Sequence, residues 1–245
     1  TTEIYTLSLH DALPIYLGQI NPDSVPWNGI GGVHRIIPFK NQIGDLNACI
    51  FIYKQYHEDT KFSHFLIYDL TSNQIVFEKI PFLKKSEIVL GIPEIYDNCI
   101  YFTTTVDLYC YDLKTGERKW KTNYNNYFSS EGHVIADGKI FAMIDGSVKK
   151  LVCHDVYSGQ QLWATMSEGT VSTLNYLNGV VYFACMGDGR VHAVDAATGK
   201  YLWKLKPPDD SGLKDECAVV PGQNGQKGKV IVSTFLNGYC YEAER

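Results

Sequence analysis

Asp112, Gly116 and Trp120 stand at offsets of 0, +4 and +8, and the same trio returns at Asp155, Gly159 and Trp163 and again at Asp195, Gly199 and Trp203. The aspartates are 43 and 40 residues apart, and a weaker copy, Asp69, Asn73 and Phe77, stands 43 residues upstream of the first. A period of this size constrains the fold more than any local propensity does, because each unit must bury its apolar face against the next copy.

Units of about 40 residues are either helical pairs or propeller blades. Local chemistry selects strands. Each unit carries a hairpin dipeptide, Asp97–Asn98, Asp137–Gly138 or Asn178–Gly179, followed by a short run rich in Val, Ile, Tyr and Phe. No unit holds a dozen residues with apolar positions at helical spacing. The expected fold is an all-β propeller of four-stranded antiparallel blades, with strands in the most regular copy at about 171–176, 180–185, 190–195 and 200–206.

The repeated trio has a mechanical role. Asp at the end of a third strand is expected to accept the backbone N–H two residues on, and Gly takes the positive φ that closes the turn. The register is then fixed, so Trp emerges at one place on the outermost strand, where it can wedge against the neighbouring blade. Asn73 and Phe77 follow the same logic with smaller parts. Two residues before each Asp stand Ile67, Cys110, Cys153 and Ala193, with Cys240 in the same slot before Glu242. The alternate slots hold mostly larger residues, such as Tyr109, Tyr111, His154, His192, Tyr239 and Tyr241. Large on one face and small on the other suits sheets stacked face to face.

Residues 1–15 resemble a translated adapter oligonucleotide from short-read DNA sequencing: the adapter's codons give all fifteen residues in order, and its last base, T, begins the codon of Tyr16. They are set aside as a non-native scar. The native N-terminus is therefore expected upstream, and signal peptide and lipid anchor are unreadable. A lead-in covers 16–31, followed by blades at 32–82, 87–124, 130–166 and 169–206 and a partial one at 216–245. About four and three-quarter blades are present, and two or three more are expected upstream.

Without the scar's Glu3 and Asp11 the net charge is about −3, which gives no electrostatic case for nucleic acid or an anionic membrane. No apolar stretch is long enough to span a bilayer as a helix. The seven cysteines contain no CxxC pair, and Cys110, Cys153 and Cys240 share the small slot, which reads as burial of a small hydrophobe.

The string AVDAATGKYLW at 193–203 matches the tryptophan-docking motif AxDxxTGxxxW of the pyrroloquinoline-quinone (PQQ)-type propeller repeat, and CYDLKTGERKW and CHDVYSGQQLW are near copies. The resemblance covers 32–245. It implies one of two settings: a scaffold similar to the BamB-like lipoprotein of outer-membrane assembly, without cofactor, or a quinoprotein dehydrogenase holding PQQ and calcium. No Cys–Cys pair of the kind that forms a vicinal disulfide in the dehydrogenases occurs here. The resemblance thus favours a noncatalytic scaffold, periplasmic or envelope-associated, binding a protein or extracellular ligand, with no cofactor and no metal. A dehydrogenase fragment and the sensor propeller of a larger signalling chain are the alternatives.

Other residue patterns are weak. Cys153 and His154 are consecutive on a strand, so they face opposite ways and cannot share a metal. His154 and His192 occupy packing slots. Gly29, Gly31 and Gly32 do not open a helix, and Asp209, Asp210, Asp215 and Glu216 lack calcium-loop spacing, which leaves a solvated connection. Binding is expected on loops. Within NYNNYF at 123–128, Tyr124, Tyr127 and Phe128 are the candidate contacts for a peptide or glycan.

Overall fold

The computed structural model describes residues 33–38, 49–54, 64–69, 74–79 and 89–244, the last stretch without 114, 125–127 and 170. Residues 1–32, with the adapter-like segment and the glycine cluster, lie outside the described residues. Every element among the described residues is a strand, and none of them forms a helix long and apolar enough to cross a membrane.

Five antiparallel sheets follow one another along the chain. The first joins β1 (Val33–Pro38), β2 (Cys49–Lys54), β3 (His64–Asp69) and β4 (Gln74–Lys79). The second joins β5 (Val89–Tyr96), β6 (Cys99–Thr104), β7 (Asp107–Asp112) and β8 (Arg118–Asn123). The third joins β9 (Phe128–Ala136), β10 (Lys139–Asp145), β11 (Lys149–Asp155) and β12 (Gln161–Met166). The fourth joins β13 (Asn175–Leu177), β14 (Val180–Cys185), β15 (Arg190–Asp195) and β16 (Tyr201–Leu205), and the fifth joins β17 (Leu213–Val220), β18 (Lys229–Thr234) and β19 (Gly238–Glu242). Consecutive strands pair throughout, as blades of a propeller require. First strands meet first strands: β5 packs on β9, and β13 on β9 and β17. Gly132 on β9 lies so close to Gly91 on β5 that an added Cβ would stand 2.9 Å from the Gly91 Cα.

In the fourth sheet the first strand differs from the expected 171–176. Val171 makes an isolated bridge to Cys185, and pairing resumes only at Asn175. Ser172 causes the gap, because its hydroxyl accepts the Ala184 N–H at 2.9 Å, a bond that a regular ladder would give to a carbonyl.

The hairpin dipeptides adopt the left-handed backbone that such turns need: φ is 45° and 58° at Asp97 and Asn98, 49° at Asp137 and 49° at Asn178. At the other turn of each blade, Asp195 Oδ1 accepts the Thr198 N–H at 2.9 Å and its hydroxyl at 2.8 Å, and Asp155 does the same for Ser158 at 2.8 and 2.7 Å. The strongest backbone contact is thus three residues on. Gly116, Gly159 and Gly199 take φ of 67°, 69° and 72°. A bulge follows, so that Trp120 pairs with Cys110, Trp163 with Cys153, Trp203 with Ala193 and Phe77 with Ile67.

That register explains the small slot. Tyr101 and Trp120 flank Cys110 on either side, and their ring centroids are 5.9 Å apart; Phe141 and Trp163 flank Cys153 at 5.8 Å, and Tyr182 and Trp203 flank Ala193 at 5.8 Å. A large residue between them would part the rings. The Trp-bearing face of one sheet then packs on the bulky face of the next. Tyr101 and Cys110 meet Ile140 and Val152, and Phe141 and Cys153 meet Phe183 and Val194. Five described cysteines are buried, all free, while Cys240 is exposed: it occupies the same slot, but no further sheet covers that face of the fifth sheet among the described residues.

Candidate functional site

Because strands alternate in direction, each blade's first and third turns lie at one end of the molecule, and its second turn lies at the other with the connections between blades. The motif end is rigid and repetitive. The residue after each Asp donates its N–H to the blade's own hairpin, Val156 to Gly138 O at 3.0 Å and Ala196 to Gly179 O at 2.9 Å. Its carbonyl accepts the preceding blade's indole: Trp120 Nε1 to Val156 O is 3.1 Å and Trp163 Nε1 to Ala196 O is 3.2 Å. These residues are committed to holding blades together. Variable chemistry sits at the connection end.

There, Asp209 in the connection before β17 gathers the β18–β19 turn. Its Oδ2 accepts from Tyr239 Oη at 2.7 Å, Asn237 Nδ2 at 2.8 Å and Thr234 Oγ1 at 2.9 Å, and its Oδ1 accepts from Ser211 Oγ and N at 2.7 and 3.0 Å. Hydrogen bonds from Asn237, then Tyr239 and Ser211, hold its carboxyl well below the usual carboxylate range. The acidic connection is therefore more than a solvated link, and only the partnering of Asp209 with distant Tyr239 and Asn237 reveals it. The tip that Asp209 secures carries Phe235 and Leu236, 67% and 77% exposed. A groove of about 600 Å³ runs nearby, lined by Thr173, Glu216, Ala218, Ile231, Ser233 and Gly238 among others.

The β14–β15 turn at the same end brings together Cys185, Asp188 and His192, with one potential ligand atom from each within 4.8 Å of the others. Phe183 pairs with His192 and Cys185 with Arg190, so cysteine and histidine share the face turned toward the third sheet. His192 Nε2 lies 2.9 and 3.1 Å from the two Asp188 oxygens. Burial pushes the Cys185 thiol up, countered by the N–H groups of Asp188 and Gly187 aimed at its sulfur, and burial pushes His192 down against the pull of Asp188. Asp188 also lines a cavity of about 220 Å³ with Lys206, Asp209 and Asp210.

Between the inner strands β5 and β9, His133 lies with its Nε2 3.9 Å from Glu94 Oε1, and Ile135 N donates to Glu94 Oε2 at 3.3 Å. Burial raises Glu94 to about 7 and lowers His133 to about 4. The Glu94 side chain keeps 33% of its surface exposed, so the shift marks a carboxyl in a narrow, poorly hydrated cleft.

The aromatic loop residues are placed differently from one another. Phe128 is 4% exposed and packs in the core between the second and third sheets. Tyr124 is half-buried, with its ring edge-on to Phe128 and His154 at 5.5 Å each and its hydroxyl on His154 Nε2 and, at 2.9 Å, Gln161 Oε1. Tyr127 lies outside the described residues. His154 Nδ1 donates to Gly159 O at 2.9 Å, away from Cys153, which packs toward the fourth sheet.

A profile of the protein family described as outer membrane protein assembly factor BamB matches residues 103–234, more than half of the chain. The chain belongs to this family. Relatives by sequence include the dehydrogenase subunit of the quinone alcohol dehydrogenase of Gluconacetobacter polyoxogenes and that of Komagataeibacter europaeus, each 32% identical over 129 residues. The matched stretch is 46% of this chain and only 17% of either relative. Among solved structures, a europium-containing methanol dehydrogenase superposes with TM-score 0.62 at 12% identity, covering 89% of this chain and 52% of that one. BamB from Moraxella catarrhalis superposes with TM-score 0.56 at 11% identity, covering 81% of this chain and 67% of that one. These identities establish the shared PQQ-type propeller fold alone.

Proposed function

We propose that this chain is a noncatalytic propeller scaffold that binds a protein partner through the connection end of its blades, in cell-envelope or outer-membrane protein assembly. One observation carries the reading: two large apolar side chains, Phe235 and Leu236, stand exposed on a turn that Asp209 fixes from behind. Exposed apolar anchors gain most by docking, and a turn already ordered loses little entropy when it docks. The neighbouring groove extends the same surface with apolar lining and a few polar groups. The family description supports the assembly setting and the envelope location.

A photo-crosslinking amino acid placed at Leu236 is expected to give one discrete adduct in the envelope fraction, weakened by Phe235→Ser. The control position is Tyr157, 58% exposed at the motif end. Adducts indistinguishable between the two positions would overturn the proposal. A fragment of a quinone-dependent dehydrogenase is the second reading, favoured by the 32% identity to the alcohol dehydrogenase subunits. Turnover of an alcohol with a dye acceptor after addition of PQQ and calcium would replace the scaffold reading with this one.

A further inference from the structure

We infer that Cys185, Asp188 and His192 form a binding site for a divalent metal ion of the zinc class, set between the third and fourth sheets at the connection end. A thiolate, an imidazole and a carboxylate are the donors that zinc accepts, and three protein ligands leave one position open. Ligand atoms around a tetrahedral ion stand about 3–4 Å apart at zinc's bond lengths. The Asp188 oxygens, 2.9 and 3.1 Å from His192 Nε2, already meet that spacing, and one potential ligand atom from each of the three residues lies within 4.8 Å of the others.

His192 is fully buried, and its Nε2, the ring nitrogen turned onto Asp188, is the one placed to take the ion. The turn is also held in place. A Cβ at Gly187 would stand 2.2 Å from the Glu168 carbonyl oxygen, so the backbone is pressed against the connection from the third sheet. Ligands on two strand ends and a wedged turn are preorganised, and Asp188 opens onto the 220 Å³ cavity that gives an ion its route in.

Titration of the reduced, chelator-stripped chain with Co2+ tests the assignment. The expected result is one equivalent bound, with a sulfur-to-cobalt charge-transfer band and the intense visible bands of a tetrahedral ion, displaced by Zn2+. Cys185→Ala removes the charge-transfer band, and Asp188→Asn weakens Co2+ binding by about 10-fold or more. Because Cys185 is buried, Cys240→Ser supplies a variant at an exposed position, in which the band must persist. Zn2+ also raises the Tm of the unaltered chain, and chelator reverses the rise. Absence of the band, its survival in Cys185→Ala, its loss in Cys240→Ser, or unchanged affinity in Asp188→Asn would each overturn the site.

Discussion

Gly159 shows how much one residue in this chain is asked to do. Its φ of 69° needs a residue without a Cβ, and a Cβ there would stand 2.6 Å from the Trp120 ring. Gly159→Ala is therefore expected to cost about 3 kcal/mol in urea denaturation, combining left-handed strain with overpacking. Gly225 has a φ of 79° with nothing within 4 Å, and Gly225→Ala should cost only about 1 kcal/mol. The sequence revealed that Gly159 closes a turn; it did not reveal the indole lying on it, because Trp120 belongs to another blade. Glu94 and His133 were not legible at all, since neither stands in the repeated motif and β5 meets β9 only when the sheets stack. Their proton linkages oppose each other. With Glu94 raised from 4.5 to about 7, the folded chain holds a proton the unfolded chain releases, so stability falls as pH rises through that window. With His133 lowered from 6.5 to about 4, the unfolded chain takes the proton, so stability falls as pH drops through that window. Glu94→Gln should unmask the second slope, seen as a Tm that declines steadily on acidification from pH 6.5 to 4.

At the scale of the element, the unit of stability is one blade's outer strand clasped to the next blade's turn. Trp163 on β12 packs with Phe141 beside it, and its indole N–H reaches Ala196 O at 3.2 Å across the sheet boundary. Trp163→Ala removes ring and bond together and is expected to cost about 3 kcal/mol or more. Trp163→Phe keeps a ring and loses mainly the bond, for about 1 kcal/mol. Chemical denaturation of both variants separates wedge from hydrogen bond; equal losses would show that the ring contributes nothing. Strand order and register were legible from the spacing of Asp, Gly and Trp, because hairpin chemistry is local. The break at Ser172 was not, since whether a serine hydroxyl replaces a carbonyl in the ladder depends on what lies opposite.

For the whole molecule, equivalent positions have unequal fates. Phe141 and Tyr182 pair across to Cys153 and Ala193, and Ile231 pairs in the same way to Cys240. Phe141 and Tyr182 are fully buried under the next sheet, whereas Ile231 is 42% exposed. Phe141→Ala should accordingly lower unfolding free energy by about 3–5 kcal/mol, and Ile231→Ala by less than about 1 kcal/mol. Asp209→Ala is expected to leave the chain folded while abolishing the Leu236 crosslink, because the tip would lose its order and keep its side chains; a retained crosslink would show that the tip orders itself. The carboxyl is depressed, so its contribution is present above the ordinary carboxylate range and lost as pH falls through the folded value. The sequence by itself determined the four-stranded unit, its turns, its register and the size of the slot beneath each Trp. All of these follow from bonds spanning a few residues and from a period that repeats. Only the tertiary structure decided which faces are covered, that Asp209 supports an apolar tip, and that Cys185, Asp188 and His192 meet. Those outcomes depend on which sheet lies alongside and which atoms a turn brings within a few ångströms, and such distances are not written in residue spacing.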